Sequence, residues 1–110
     1  MTERAKKYLY DILYSIDAIG QFLLKVNFIE YQNDLKTQSA VERQLGIIGE
    51  AVNKFLKENP DFVLQNSREI VNLRNRIVHA YDSIDDSIIW AIKTNHLPFL
   101  KNEIEKLLSD

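Results

Sequence analysis

The scarcity of punctuation constrains this chain most: three glycines and two prolines are distributed over 110 residues, and no stretch alternates apolar and polar residues cleanly with a period of two. A half-buried strand needs that alternation. The chain is therefore read as all-α, an antiparallel bundle of about four to five helices joined by short loops and forming one domain over residues 1–110.

Apolar spacing places the helices. Thr2 stands as an N-cap before a first helix running to about Val26, with Leu9, Ile12, Leu13, Ile16, Ile19, Leu23 and Leu24 at helical intervals. Asn33 and Asp34 mark a loop. A second helix covers roughly Gln38 to Glu58; Ser39-Ala40-Val41-Glu42 has the form of a capping box, and Asn59-Pro60 supplies the stop. A third begins near Asn66 or Ser67 and continues to about Ala80. A fourth follows from Ser83-Ile84-Asp85-Asp86, and a fifth opens at Leu97-Pro98, with Pro98 in its first turn.

Composition excludes several kinds of chemistry. Without cysteine there are no disulfides, no thiolate nucleophile and no cysteine-based metal site, and His79 and His96 are too few and too distant to suggest zinc. No metal or other cofactor is expected. A net charge of -2 gives no general attraction to nucleic acid, so any basic surface must be local. Between Arg68 and Arg76 three arginines face one acid, Glu69, whereas residues 82–110 hold six acids against three lysines. No apolar run approaches the roughly 20 residues needed to cross a bilayer, and the cytoplasm is the expected location. A helical domain of this size has little room for an internal cleft, which places a site between subunits and predicts a dimer or larger assembly.

One segment breaks the pattern, Arg74-Asn75-Arg76-Ile77-Val78-His79-Ala80-Tyr81. At 100° per residue, Arg68, Glu69, Asn72, Asn75, Arg76 and His79 share a polar arc of the third helix, while Arg74 falls inside the apolar sector between Ile70 and Ile77 on one side and Val71 and Val78 on the other. A charge on that stripe must snorkel, find a carboxylate such as Glu50, or line a wet interface. Arg74, His79 and Tyr81 together supply a fixed positive charge, a group that exchanges protons near neutral pH and a phenol, a set suited to phosphodiester chemistry. Upstream, Gly46 and Gly49 lie in a helix interior, where each costs about 1 kcal/mol relative to Ala; their absent side chains allow another helix to approach. Glu50 beside them offers a partner for Arg43 or for an arginine of the third helix. His96 and the lysines Lys6, Lys7, Lys54, Lys57, Lys101 and Lys106 read as solvated surface.

These residues carry a resemblance. Leu73 to Tyr81 resembles the R-x4-H-x-Y motif of the HEPN superfamily, in particular the HepT-like toxins, and Arg43-Gln44-Leu45-Gly46-Ile47-Ile48-Gly49-Glu50-Ala51 resembles the R-x-L-x-x-I-G-E-A stretch of that family's second helix. The similarity spans nearly the whole chain; Ser67 departs from it, standing where many relatives have Trp. It implies an HEPN bundle that dimerises so that two motifs face one cleft, with metal-independent endoribonuclease activity as a toxin. Carried over, Arg74 stabilises charge on the phosphorane, His79 orients or deprotonates the RNA 2'-hydroxyl, and Asn75 positions the groups. Arg43, Glu50 and Arg76 support them, and Tyr81 resembles the tyrosine to which a partner nucleotidyltransferase antitoxin attaches AMP. The competing reading is a non-catalytic helical module that binds a nucleotide or presents substrate to such an enzyme.

Overall fold

The computed structural model describes residues 1–79 and 84–110. Six helices follow one another, α1 (Glu3–Phe22), α2 (Phe28–Gln32), α3 (Leu35–Glu58), α4 (Arg68–His79), α5 (Asp86–Asn95) and α6 (Leu97–Ser109), with no strand among the described residues. The all-α expectation holds, with one short helix more than the spacing had suggested.

Local chemistry explains the boundaries. The Thr2 hydroxyl accepts from the Ala5 amide at 3.0 Å and starts α1. The helix stops at Phe22 rather than Val26, and Lys25 adopts a positive φ of 61°. The turn frees Asn27 to cap α2 in a reciprocal box: its side chain accepts from the Glu30 amide at 2.8 Å, and Glu30 accepts from the Asn27 amide at 3.1 Å. α3 begins earlier than expected because Asp34 caps it, accepting from the Thr37 amide at 3.1 Å. The Ser39-to-Glu42 segment lies inside that helix and forms no N-terminus. Ser67 is buried just ahead of α4, and its hydroxyl donates to the Leu64 carbonyl at 2.7 Å. The start of α5 is capped by Asp85, and Ser83, its expected start, lies outside the described residues.

One cluster of buried apolar residues ties the helices together. Leu9, Ile12 and Ile19 of α1 meet Leu45, Ile48, Val52 and Phe55 of α3, and Ile70 and Leu73 of α4, Ile89 of α5 and Leu100 and Ile104 of α6 close the core. α1 and α3 run antiparallel, since Arg4 and Tyr8 near the start of one bond Glu58 at the end of the other, at 3.1 and 2.9 Å. Tyr31 of α2 is fully buried and stacks obliquely on Trp90 of α5 at 5.5 Å between ring centroids. No described helix is long and apolar enough to cross a membrane. The arrangement leaves α4 lying across the middle of α3, with α1 flanking the crossing.

Candidate active site

Gly49 makes the α3–α4 crossing feasible. A Cβ built on it would lie 2.9 Å from Arg74 Cγ and 3.2 Å from the Ile70 carbonyl oxygen, and closer still to Arg74 Cβ. Only a bare Cα admits the stem of Arg74 at this point. Gly46, one turn earlier, differs: among the described residues a Cβ there would meet nothing within 4 Å. Its open face forms part of a cavity wall instead. Of the two glycines, Gly49 therefore serves helix approach and Gly46 leaves space.

The close approach fixes Arg74. Its side chain is 22% exposed, and its guanidinium donates to Glu50 Oε2 and, at 3.0 Å, to Asn75 Oδ1. Glu50 is shared: Lys54 Nζ lies 3.6 Å from its other oxygen. The result is a chain Lys54–Glu50–Arg74–Asn75 in which a fork-shaped cation is clamped on two sides. The wheel's conflict, a charge on an apolar stripe, is resolved by the carboxylate of Glu50, one of the three solutions open to it.

Arg74 and Glu50 line a cavity of about 500 Å³ between α1, α3 and α4. Arg43 and Lys54 of α3 and Lys7 of α1 also line it, so with Arg74 cations enter from three helices, beside the carboxylates Asp11, Glu42 and Glu50. Its apolar wall includes Gly46, Ile47, Ile77 and Val78, and Val78 is 51% exposed. A half-exposed valine in the wall of a hollow lined by both cations and carboxylates gives the site an apolar surface open to contact.

Some expected participants lie elsewhere. Arg76 does not line this cavity; two residues from Arg74 on α4, it points about 200° away and lines a separate hollow with Glu69, Asn72 and His96. His79 ends α4, five residues and about 7.5 Å of helix rise from Arg74. Tyr81 lies outside the described residues. Arg43, Glu50, Arg74 and Asn75 are thus the expected residues that the fold brings together.

Glu42 belongs at the site and was not among the expected residues. It lines the same cavity, and burial, with repulsion from Asp86 added, raises its carboxyl above the ordinary glutamate value. A signal was present: Glu42, Gly46, Glu50 and Lys54 recur at every fourth position, which stacks them along one face of α3. Lys7 and Lys54, read as solvated, are exposed and also line the cavity, whereas His96, read as surface, is half-buried, with a sealed Nδ1 that has no hydrogen-bond partner among the described residues. Among the described residues no three His, Cys, Asp or Glu side chains gather as metal ligands.

Comparison with known proteins identifies the family. The HepT-like family model, described as "Ribonuclease HepT-like", matches residues 12–107. A Thermococcus cleftensis protein named "Probable ribonuclease HepT" is 36% identical over 111 residues, covering 97% of this chain and 98% of that protein. Two Methanocaldococcus jannaschii proteins named as RNases are 36% and 32% identical, each over 96% of this chain and 88% of their own length. No solved structure matches. The matched segment contains α3, α4 and the crossing that holds Arg74, and the chain belongs to the HepT-like ribonuclease family.

Proposed function

We propose that this chain is a metal-independent endoribonuclease toxin that cleaves RNA in a cleft formed by two subunits. The observation that carries the reading is the guanidinium of Arg74, fixed by Glu50 and Asn75 at the edge of a cavity that Arg43, Lys54 and Lys7 also line, in a chain of a ribonuclease family. In the proposed reaction the ribose 2'-oxygen attacks the adjacent phosphorus and the bond to the 5'-oxygen breaks. The products are a 2',3'-cyclic phosphate and a 5'-hydroxyl. His79 takes or orients the 2'-hydroxyl proton, a proton is returned to the leaving oxygen, and Arg74 binds the equatorial oxygens as their charge grows. Asn75 keeps Arg74 aimed, while Glu50 neutralises it and Arg43 and Lys54 attract the backbone.

A second subunit meets the first across the wall of Gly46, Ile47, Ile77 and Val78, and brings another Arg74 and His79 to the cleft. A nucleotidyltransferase antitoxin silences the enzyme by transferring AMP from ATP to the Tyr81 phenol oxygen, with pyrophosphate leaving. The added phosphate competes for the cations that bind RNA. The test is incubation of the purified protein with tRNA and total RNA in EDTA beside His79→Ala. Cleavage by wild type, reduced about 100-fold or more in the variant, supports the reading; an identical absence of cleavage sinks it and leaves the non-catalytic module.

A further inference from the structure

Arg76 sits on the motif helix but outside the catalytic cavity, in a hollow of about 330 Å³ between α4 and the α5–α6 junction. The floor is apolar, built from Leu73, Ile88, Ala91 and Ile92, and the rim carries Glu69, Asn72, Arg76 and His96. Leu73 and Ile92 are buried, whereas Glu69, Asn72 and Arg76 are exposed. Among the described residues none of these charged groups is engaged in an ion pair, although Arg76 is close enough to Asp85 to help, after the Ser87 cap, to hold that carboxyl below its usual value. His96 lines the hollow, while its Nδ1 is sealed from solvent and has no partner among the described residues.

We propose that this hollow is a base-reading subsite for one unpaired RNA nucleotide next to the cleaved bond, with Arg76 on its phosphate and Glu69, Asn72 and His96 on the edge of its base. The proposal rests on the RNA-cleaving reading above. An apolar floor bounded by few polar groups suits a nucleobase, which offers two faces to pack and one edge to bond. The chain's own layout supplies continuity: Asn75, exposed and bonded to Arg74, lies on α4 between Arg74 and Arg76, about 100° from each. A strand held by Arg74 passes over Asn75 and arrives at Arg76. Phosphate contacts of this kind set register, and the edge contacts carry the sequence preference.

The rim also dictates which bases fit. Glu69 is acceptor-only when ionised, so it favours bases with an exocyclic amine, namely guanine, adenine and cytosine. Uracil presents two carbonyls flanking one N–H and sets an oxygen against the carboxylate. Asn72 offers both a donor and an acceptor and does not discriminate by itself.

The experiment is an NMR titration of the isotope-labelled protein with GMP, AMP, CMP and UMP, following the His96 ring and the Asn72 side-chain amide. The expected result is a shift of both signals, with UMP about tenfold weaker than GMP. Glu69→Gln removes the preference among bases, and Arg76→Gln weakens all four nucleotides together. Shifts confined to residues of the Arg74 cavity, equal affinity for all four bases, or a preference untouched by Glu69→Gln would each overturn the proposal. The cleavage assay separates the two readings. A protein that cuts RNA yet shows no His96 response loses only the subsite, whereas one that reads bases but never cuts loses only the nuclease.

Discussion

Glu42 shows how one side chain couples stability to the site. Its carboxyl faces the cavity, and its raised pKa, caused first by burial and then by Asp86, means that the folded protein disfavours the ionised form. The ionised group therefore opposes folding at neutral pH, and this penalty disappears as pH falls through the raised value to below the unfolded one, about 4.3. Glu42→Gln should raise the thermal midpoint at pH 7, and its advantage should vanish near pH 4. Equal midpoints at pH 7 would remove the argument. At this scale the sequence was partly legible. Arg74 was conspicuous because its charge contradicts its neighbours, and Glu50 was the available carboxylate. Glu42 was not, since a glutamate on a helix looks solvated until the helix packed beside it is known.

At the level of elements, the informative comparison is between two glycines one turn apart. Gly49→Ala should cost about 2 kcal/mol, because the new methyl drives into Arg74 and the Ile70 carbonyl by more than helix propensity returns. Gly46→Ala should instead raise the stability of the isolated subunit by about 1 kcal/mol, there being nothing within 4 Å to resist it. Urea unfolding of both variants checks the pair, and similar shifts for the two would contradict the crossing described. The helices themselves were largely readable, since α1, α3, α4 and α6 announce their apolar stripes. What misled were competing punctuation marks. Leu23, Leu24 and Val26 extend the apolar spacing of α1 beyond its end at Phe22, and two capping boxes, at Asn27 and Ser39, fit the sequence equally well. Only the turn at Lys25 and the Asp34 cap decide between them, and neither is a property of periodicity.

For the whole molecule the question is what the half-exposed Val78 meets. If the wall it shares with Ile47 and Ile77 is where two subunits join, Val78→Lys should shift the protein toward monomer in analytical ultracentrifugation and lower RNA cleavage together with association. An unchanged sedimentation coefficient would place the joint elsewhere. Assembly is the level at which the sequence said least, because the partner face of a helix and its solvent face look alike until one of them is covered. The double use of Arg74 also has a practical side for genetics. Its stem fills the notch at Gly49, and in the proposed mechanism its head serves the cleft, so on that reading an Arg74→Ala allele would both disarm the protein and unpack it. If the chain is toxic as proposed, the survival of a culture carrying that allele has two explanations, scarce polypeptide and silent chemistry. Arg74→Lys, which keeps most of the stem, is the cleaner plasmid-borne control, scored against the amount of soluble product in the same cells.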